Sequence, residues 1–302
     1  MFERILMMTD LTDTSRRAFA PVADLARRQK GTRVVLAHAV VGSTEQYFLD
    51  SLIRAQIDAK ARAKARTGLD EIAAELSAMG VDVEPVLEIG SPFNVVPDLV
   101  QRYNAQLVVL PTHSQHSLVR RISNSVTART IRDHVVPVLT INDHFDPKTW
   151  AGFGPIVHPV DFGDQQRSGL LTAEDFAAAT QTELQLVHVL RPMNLASIYD
   201  DDERELARIV EQSADDLHGR VEAGMAEVLA RLTRVKGQSR VLTHNNAGVG
   251  IVDYLSTVGA GLAVLPALGR DAVHTQLMGS VAEHVIRYAP CPVLVYDRPL
   301  FA

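Results

Sequence analysis

Two stretches decide the fold: Leu107-Val108-Val109-Leu110-Pro111 and, further along, Leu262-Ala263-Val264-Leu265-Pro266. Each is a short apolar run ending in proline. Each is followed by a polar loop, then by Asn124-Ser125 or Gly279-Ser280, then by Val136-Pro137-Val138-Leu139 or Cys291-Pro292-Val293-Leu294. The register is constant: Pro266, Ser280 and Pro292 each lie 155 residues beyond Pro111, Ser125 and Pro137. The chain therefore says the same thing twice, and only the second copy keeps glycine where the loop meets the next helix.

Working outward, the earlier landmarks repeat as well. Thr9-Asp10-Leu11 matches Val160-Asp161-Phe162, and His38 matches His188. Apolar strand patterns fall at Ile5–Met8, Val34–Ala37, Val81–Ile89, Leu107–Leu110 and Val135–Ile141, with helical spacing between them. The second copy repeats them at Pro155–Val160, Leu184–Leu190, Ser239–Thr243, Leu262–Leu265 and Val293–Tyr296. Buried strands alternating with helices specify a parallel sheet covered on both faces. The expected fold class is α/β: two flavodoxin-like, Rossmann-like doubly wound domains, each a five-stranded parallel sheet of order 3-2-1-4-5. The expected domains are 1–141 and 155–302, joined by a linker at 142–154 that contains Asp, Pro, Lys and two Gly.

Composition excludes several classes. The 302 residues are 46% hydrophobic and 22% charged with a net charge of −6, which suits a globular core and gives no bulk basic character for nucleic acid. The single cysteine, Cys291, rules out an internal disulfide and a multi-cysteine metal site, and its apolar setting predicts a buried thiol. No apolar run approaches the roughly 20 residues that span a bilayer, so no membrane partner is expected. An acidic residue at position 3 and an immediate strand pattern do not read as a signal peptide, so a cytoplasmic location is expected.

In a doubly wound sheet, ligands bind beyond the carboxyl ends of the strands where the strand order reverses. That places Asp161 and the loop after Leu265 together. Gly269 permits backbone paths closed to other residues, Gly279 lets a ligand approach the main chain, and the free amides of the helix opening at Ser280 favour an anion. There is no G-K-[ST] sequence, so this is not a P-loop. Gly248-Val249-Gly250 opens like a dinucleotide fingerprint, but Asp253 stands where the third glycine belongs, and a helix start after the third strand explains it. His113, His116, His38 and His134 read as solvated histidines before they read as a zinc site, and the acidic run Asp200 to Glu205 as a helix start. No metal site is expected, and no catalytic constellation stands out.

With those residues in view, the stretch Leu262–Val295 resembles the C-terminal signature of the universal stress protein family, G-x2-G-x9-G-[S/T] followed by a helix and a Pro-Val-Leu-Val strand. Gly269, Gly279 and Ser280 fall in register, with Pro266 at the first glycine position. The first copy carries the same frame as Pro111, Ser114, Asn124 and Ser125 without glycine. The resemblance covers nearly the whole chain and implies a tandem protein. It also implies an adenine nucleotide, ATP or AMP/ADP, with or without Mg²⁺, held in the second copy. Pro159, Val160 and Asp161 would lie near the base and ribose, main chain of Val189 at the adenine edge, and Pro266, Gly269, Arg270, Gly279, Ser280 and Val281 around the phosphates. The degenerate first-copy set would be Asp10, Ala39, Ser114, Asn124 and Ser125. The family also pairs its fifth strand antiparallel with that of another domain, so Val135–Thr140 and Val293–Tyr296 are expected to pair within one chain, with room for a further homodimer. Two alternatives to a regulatory nucleotide-binding protein stay open: a ligand-free scaffold with both sites decayed, and a slow ATPase or phosphotransfer enzyme.

Overall fold

The computed structural model describes residues 2–41, 51–112, 126–132, 136–162, 166–192, 204–266 and 279–296. The first half contributes strands β1 (Arg4–Met8), β2 (Arg33–Val40), β3 (Asp82–Ile89), β4 (Leu107–Thr112) and β5 (Val138–Asn142). Its helices are α1 (Asp13–Arg16), α2 (Phe19–Arg28), α3 (Ser51–Ala78), α4 (Pro92–Tyr103) and α5 (Val126–Arg132). The second half contributes β6 (Ile156–Pro159), β7 (Leu184–Leu190), β8 (Gly237–Thr243), β9 (Leu262–Pro266) and β10 (Val293–Tyr296), with α6 (Gln166–Thr180), α7 (Arg204–Leu229), α8 (Ala247–Thr257) and α9 (Ser280–Tyr288).

All ten strands form one sheet, ordered β3-β2-β1-β4-β5-β10-β9-β6-β7-β8. Within each half every pairing is parallel, in the order 3-2-1-4-5. The halves meet where β10 runs antiparallel to β5, with Leu294 opposite Leu139 and Val293 opposite Thr140. The Thr140 hydroxyl donates to the Val293 carbonyl at 3.2 Å, and Asn142 Nδ2 donates to the Ile286 carbonyl at 2.9 Å, so the buried polar groups at the seam are satisfied.

Alternate residues along each strand enter two cores, one on each face of the sheet. Ile5, Met7, Val34, Leu139, Ile156, Leu262 and Leu294 face one; Leu6, Val35, Val138, Val157, Ala263 and Val293 face the other. Both cores run through both halves. The outermost strands β3 and β8 are only partly covered. Pro85 interrupts the donor row of β3, which blunts that edge against further pairing.

Segment 142–154 has linker composition, but its aromatic residues enter the core. Asn142 still belongs to β5, and Phe145 and Phe153 are buried. Rings of Phe145, Trp150, Phe153 and Phe176 follow one another edge to face, at centroid distances of 5.8, 4.8 and 5.3 Å. Arg17 of the first half donates to the Phe145 carbonyl, and Arg28 Nη1 to the Thr180 carbonyl at 3.0 Å. Gly261 is required by this packing, since a Cβ there would lie 2.2 Å from the Gly152 carbonyl oxygen.

Phe153→Ala should therefore lower stability by about 3–5 kcal/mol, the usual cost of emptying a large aromatic site. Urea unfolding checks it, with a cost near that of a surface substitution as the contrary result.

Candidate functional site

The strand order reverses at β6, which pairs β7 on one side and β9 on the other. Beyond the carboxyl ends of β6 and β9 the chain must turn to opposite faces, and a crevice results. Pro159, Val160 and Asp161 lead into it from β6, Val189 lies in the last turn of β7, and Pro266 ends β9. Gly279, Ser280 and Val281 open α9, which returns from β9. These eight expected residues are brought to the same end of the second half. Gly269 and Arg270 lie outside the described residues.

Local backbone at the crevice is specified by unusual pairs of residues. Phe162 adopts φ 57°, left-handed for a bulky side chain, at a cost of order 1–2 kcal/mol. Its ring fits because Gly224 of α7 has no side chain: a Cβ there would lie 2.9 Å from Phe162 Cε1. The ring also meets His188 at a centroid distance of 4.9 Å. His188 Nδ1 donates to the Val160 carbonyl at 2.6 Å, and the Val160 amide donates to the Val187 carbonyl at 2.8 Å. The turn carrying Asp161 is thus pinned from β7.

The first half repeats this geometry atom for atom. Leu11 has φ 64° and packs on Gly68 of α3; His38 Nδ1 meets the Thr9 carbonyl at 2.8 Å; the Thr9 amide donates to the Ala37 carbonyl at 2.9 Å. The carboxylate differs. Asp10 Oδ1 accepts from the Thr12 hydroxyl at 2.6 Å, the Ser15 hydroxyl at 2.6 Å and the Thr12 amide at 3.0 Å. At the matching distance of 151 residues the second half has Gly163 and Gln166, with no hydroxyl at either position. Asp10 and Ala39 occupy the matching strand ends of the first half, whereas Ser114, Asn124 and Ser125 lie outside the described residues.

The start of α9 differs from that of α8. Gly279 occupies the N-cap in extended conformation and supplies no side-chain cap. By contrast, α8 is capped by Asn246, whose Oδ1 accepts from the Val249 amide at 3.2 Å. The Gly279 carbonyl takes the Glu283 amide at 2.9 Å, so helical bonding begins at once, with no side-chain cap on the first amides among the described residues. Gly248 and Gly250 lie inside α8, in its first turn. A Cβ at Gly248 would lie 2.7 Å from His284 Cβ, and one at Gly250 2.8 Å from His244 Cβ, so both glycines serve close packing.

Among the described residues no group of three or more His, Cys, Asp or Glu could hold a metal ion. His113, His116, His134 and Asp200 to Glu203 lie outside them. Cys291 is buried, and burial pushes its thiol up to about 12, far from a reactive thiolate. No described helix is long and apolar enough to cross a membrane.

The model of the universal stress protein family matches residues 1–142 and again 152–297. The chain belongs to the universal stress protein family. A universal stress protein from Archaeoglobus fulgidus DSM 4304 is similar over 98% of this chain and 96% of its own, at 18% identity and a TM-score of 0.69. A putative universal stress protein from Pseudomonas aeruginosa UCBPP-PA14 covers 98% of this chain and 94% of its own, at 17% identity and a TM-score of 0.55. A functionally unknown protein from Pseudomonas aeruginosa PAO1 covers 98% and 93%, at 16% identity and 0.57. At these identities the likeness is one of fold, across both halves. No curated protein matches the chain significantly.

Sequence reasoning missed one polar cluster, His158 with Tyr296 and Gly169. His158 is 3% exposed, its Nδ1 donates to the Val264 carbonyl at 2.9 Å, and burial holds its imidazole below the ordinary histidine range. Comparing copies at a spacing of 151 residues could have found it, since Met7 and Ala18 stand at the matching positions.

With the folded imidazole held below the unfolded one by burial, the unfolded state binds more protons as pH falls through about 6.5. The stability due to His158 is therefore present above that pH and lost as pH falls. Urea titrations between pH 7.5 and 5 should show a shallower decline for His158→Met, by up to about 1.4 kcal/mol per pH unit. Parallel curves for the two proteins would contradict this.

Proposed function

We propose that the second half binds ATP or a related adenine nucleotide, with or without Mg²⁺, and that the protein acts as a regulatory binding module rather than as a catalyst. The observation that carries this reading is the start of α9. Gly279 leaves the helix amides without a side-chain cap at the end of the sheet where the strand order reverses. Positive helix-end charge and free N–H groups favour a phosphate there. The absence of a Cβ at Gly279 lets phosphate oxygens approach the main chain, so the residues present fit the group.

In this reading Asp161 and the Val160 turn, pinned by His188, face the sugar and base, while main chain at Val189 meets the adenine edge. Pro266, Gly269, Arg270, Ser280 and Val281 surround the phosphates. The first half is the poorer host in this reading, since Asn124 stands where Gly279 stands in the second half. Binding energy available only to the loaded state would shift the protein between states recognised by different partners. We further propose domains at 1–141 and 155–302, and that their last strands pair in place of the contact a single-domain relative makes with a second copy.

Calorimetric titration of the full chain with ATP and Mg²⁺ should give one nucleotide per chain. Gly279→Asp puts a carboxylate at the helix start and should weaken binding at least about tenfold, whereas Asn124→Asp should leave it unchanged. Two nucleotides per chain, or none, would overturn the assignment.

A further inference from the structure

A second cavity, of about 370 Å³, lies between β6, α6 and α7. Its apolar walls, Val160, Leu170 and Val228, belong to the core on the face opposite α9. It is therefore distinct from the phosphate side of the crevice. Leu171, 41% exposed, and Arg231 stand at its mouth, and His158 and Glu174 are its buried polar groups.

Glu174 is structural. Its Oε1 accepts the Thr233 and Arg234 amides at 2.6 and 2.7 Å, which anchors the turn after α7. Burial opposes its charge, yet those amides and the Arg234 guanidinium hold its carboxyl below the usual range. His158 is different. A carbonyl only accepts, so Nδ1 carries the proton toward Val264 and Nε2 keeps a lone pair. Burial keeps the ring neutral. The cavity is thus lined by one imidazole whose Nε2 can accept a hydrogen bond.

The first half shows that none of this is required by the fold. Met7, Ala18 and Ile141, all fully buried and apolar, stand where the second half has His158, Gly169 and Tyr296. Gly169 admits the tyrosine: a Cβ there would lie 1.6 Å from the Tyr296 hydroxyl and 3.1 Å from His158 Cε1. Three linked substitutions therefore convert a sealed core into a polar-lined one. The rim changes with it. In the first half Arg16 Nε pairs with Glu75 Oε2 at 2.8 Å. In the second half Arg167 follows Arg16 by 151 residues, and Arg231 follows Glu75 by 156, the spacing that relates Gly68 to Gly224. Where the first half has Glu75, the second half thus has the exposed Arg231.

We propose that this cavity binds a small organic carboxylate with an apolar body and one hydrogen-bond donor, of the hydroxyaryl-acid class. Its carboxylate pairs with Arg231 at the mouth, its ring lies against Leu170, Val160 and Val228, and its hydroxyl donates to His158 Nε2. The site does not depend on nucleotide binding in the crevice.

The test is titration of the nucleotide-free full chain with 4-hydroxyphenylacetate, by calorimetry and saturation-transfer NMR. One saturable site is expected. Arg231→Glu, which restores the first-half charge at an exposed position in the turn after α7, should weaken it about tenfold without moving Tm. His158→Met should weaken 4-hydroxyphenylacetate and leave phenylacetate, which has no hydroxyl, unaffected. Val228→Trp, filling the cavity, should abolish binding of both. No saturable binding up to about 1 mM, or binding indifferent to Arg231→Glu, would overturn the proposal. Equal losses of both acids in His158→Met would overturn the donor contact.

Discussion

The antiparallel contact between β5 and β10 is the constraint on which the rest depends. A doubly wound half ends in a strand with apolar side chains on both faces, and β5 and β10 are buried along their whole lengths. Left alone, each would present an open row of amides and carbonyls on an apolar edge. Pairing them uses both edges at once and leaves only β3 and β8 at the margins, where the burial is partial and Pro85 limits further pairing. Because the pairing is antiparallel, the strands of the two halves run in opposite directions, and their carboxyl-end crevices open at opposite ends of the sheet. Each keeps its own approach from solvent.

On that shared frame the two copies have diverged in polar content rather than backbone. The left-handed residue after the strand-one aspartate, the helix glycine that makes room for it and the histidine that pins the turn occur in both. Such strained positions persist only when their surroundings over-determine them, and here the surroundings are duplicated. The differences fall on a few side chains: hydroxyls that occupy Asp10, an asparagine in place of Gly279, and apolar residues in place of His158 and Tyr296. One scaffold thus carries two sets of polar side chains at matching places.

Much of this architecture was legible in the sequence, because apolar strand runs and a 155-residue spacing are local signals. The α/β class and the division into two like halves follow from them. Other features depend on tertiary contacts that no window of sequence displays. Segment 142–154 has the composition of a linker, yet its aromatic residues stack into the core from Phe145 to Phe176. The first helical pattern is broken between Arg16 and Phe19, and α8 begins at Ala247 because Asn246 caps it. Gly169 reads as an ordinary helix glycine until the Tyr296 hydroxyl is seen in the space it leaves.

Hydrogen exchange of the full chain with and without ATP and Mg²⁺ tests the central asymmetry most directly, because it locates binding residue by residue. Added protection is predicted at the Val160–Phe162 turn and at the first amides of α9, Ser280 to Ala282, with the Thr9–Thr12 turn unchanged. Equal protection of the Thr9–Thr12 turn, or no change in either half, would contradict the account.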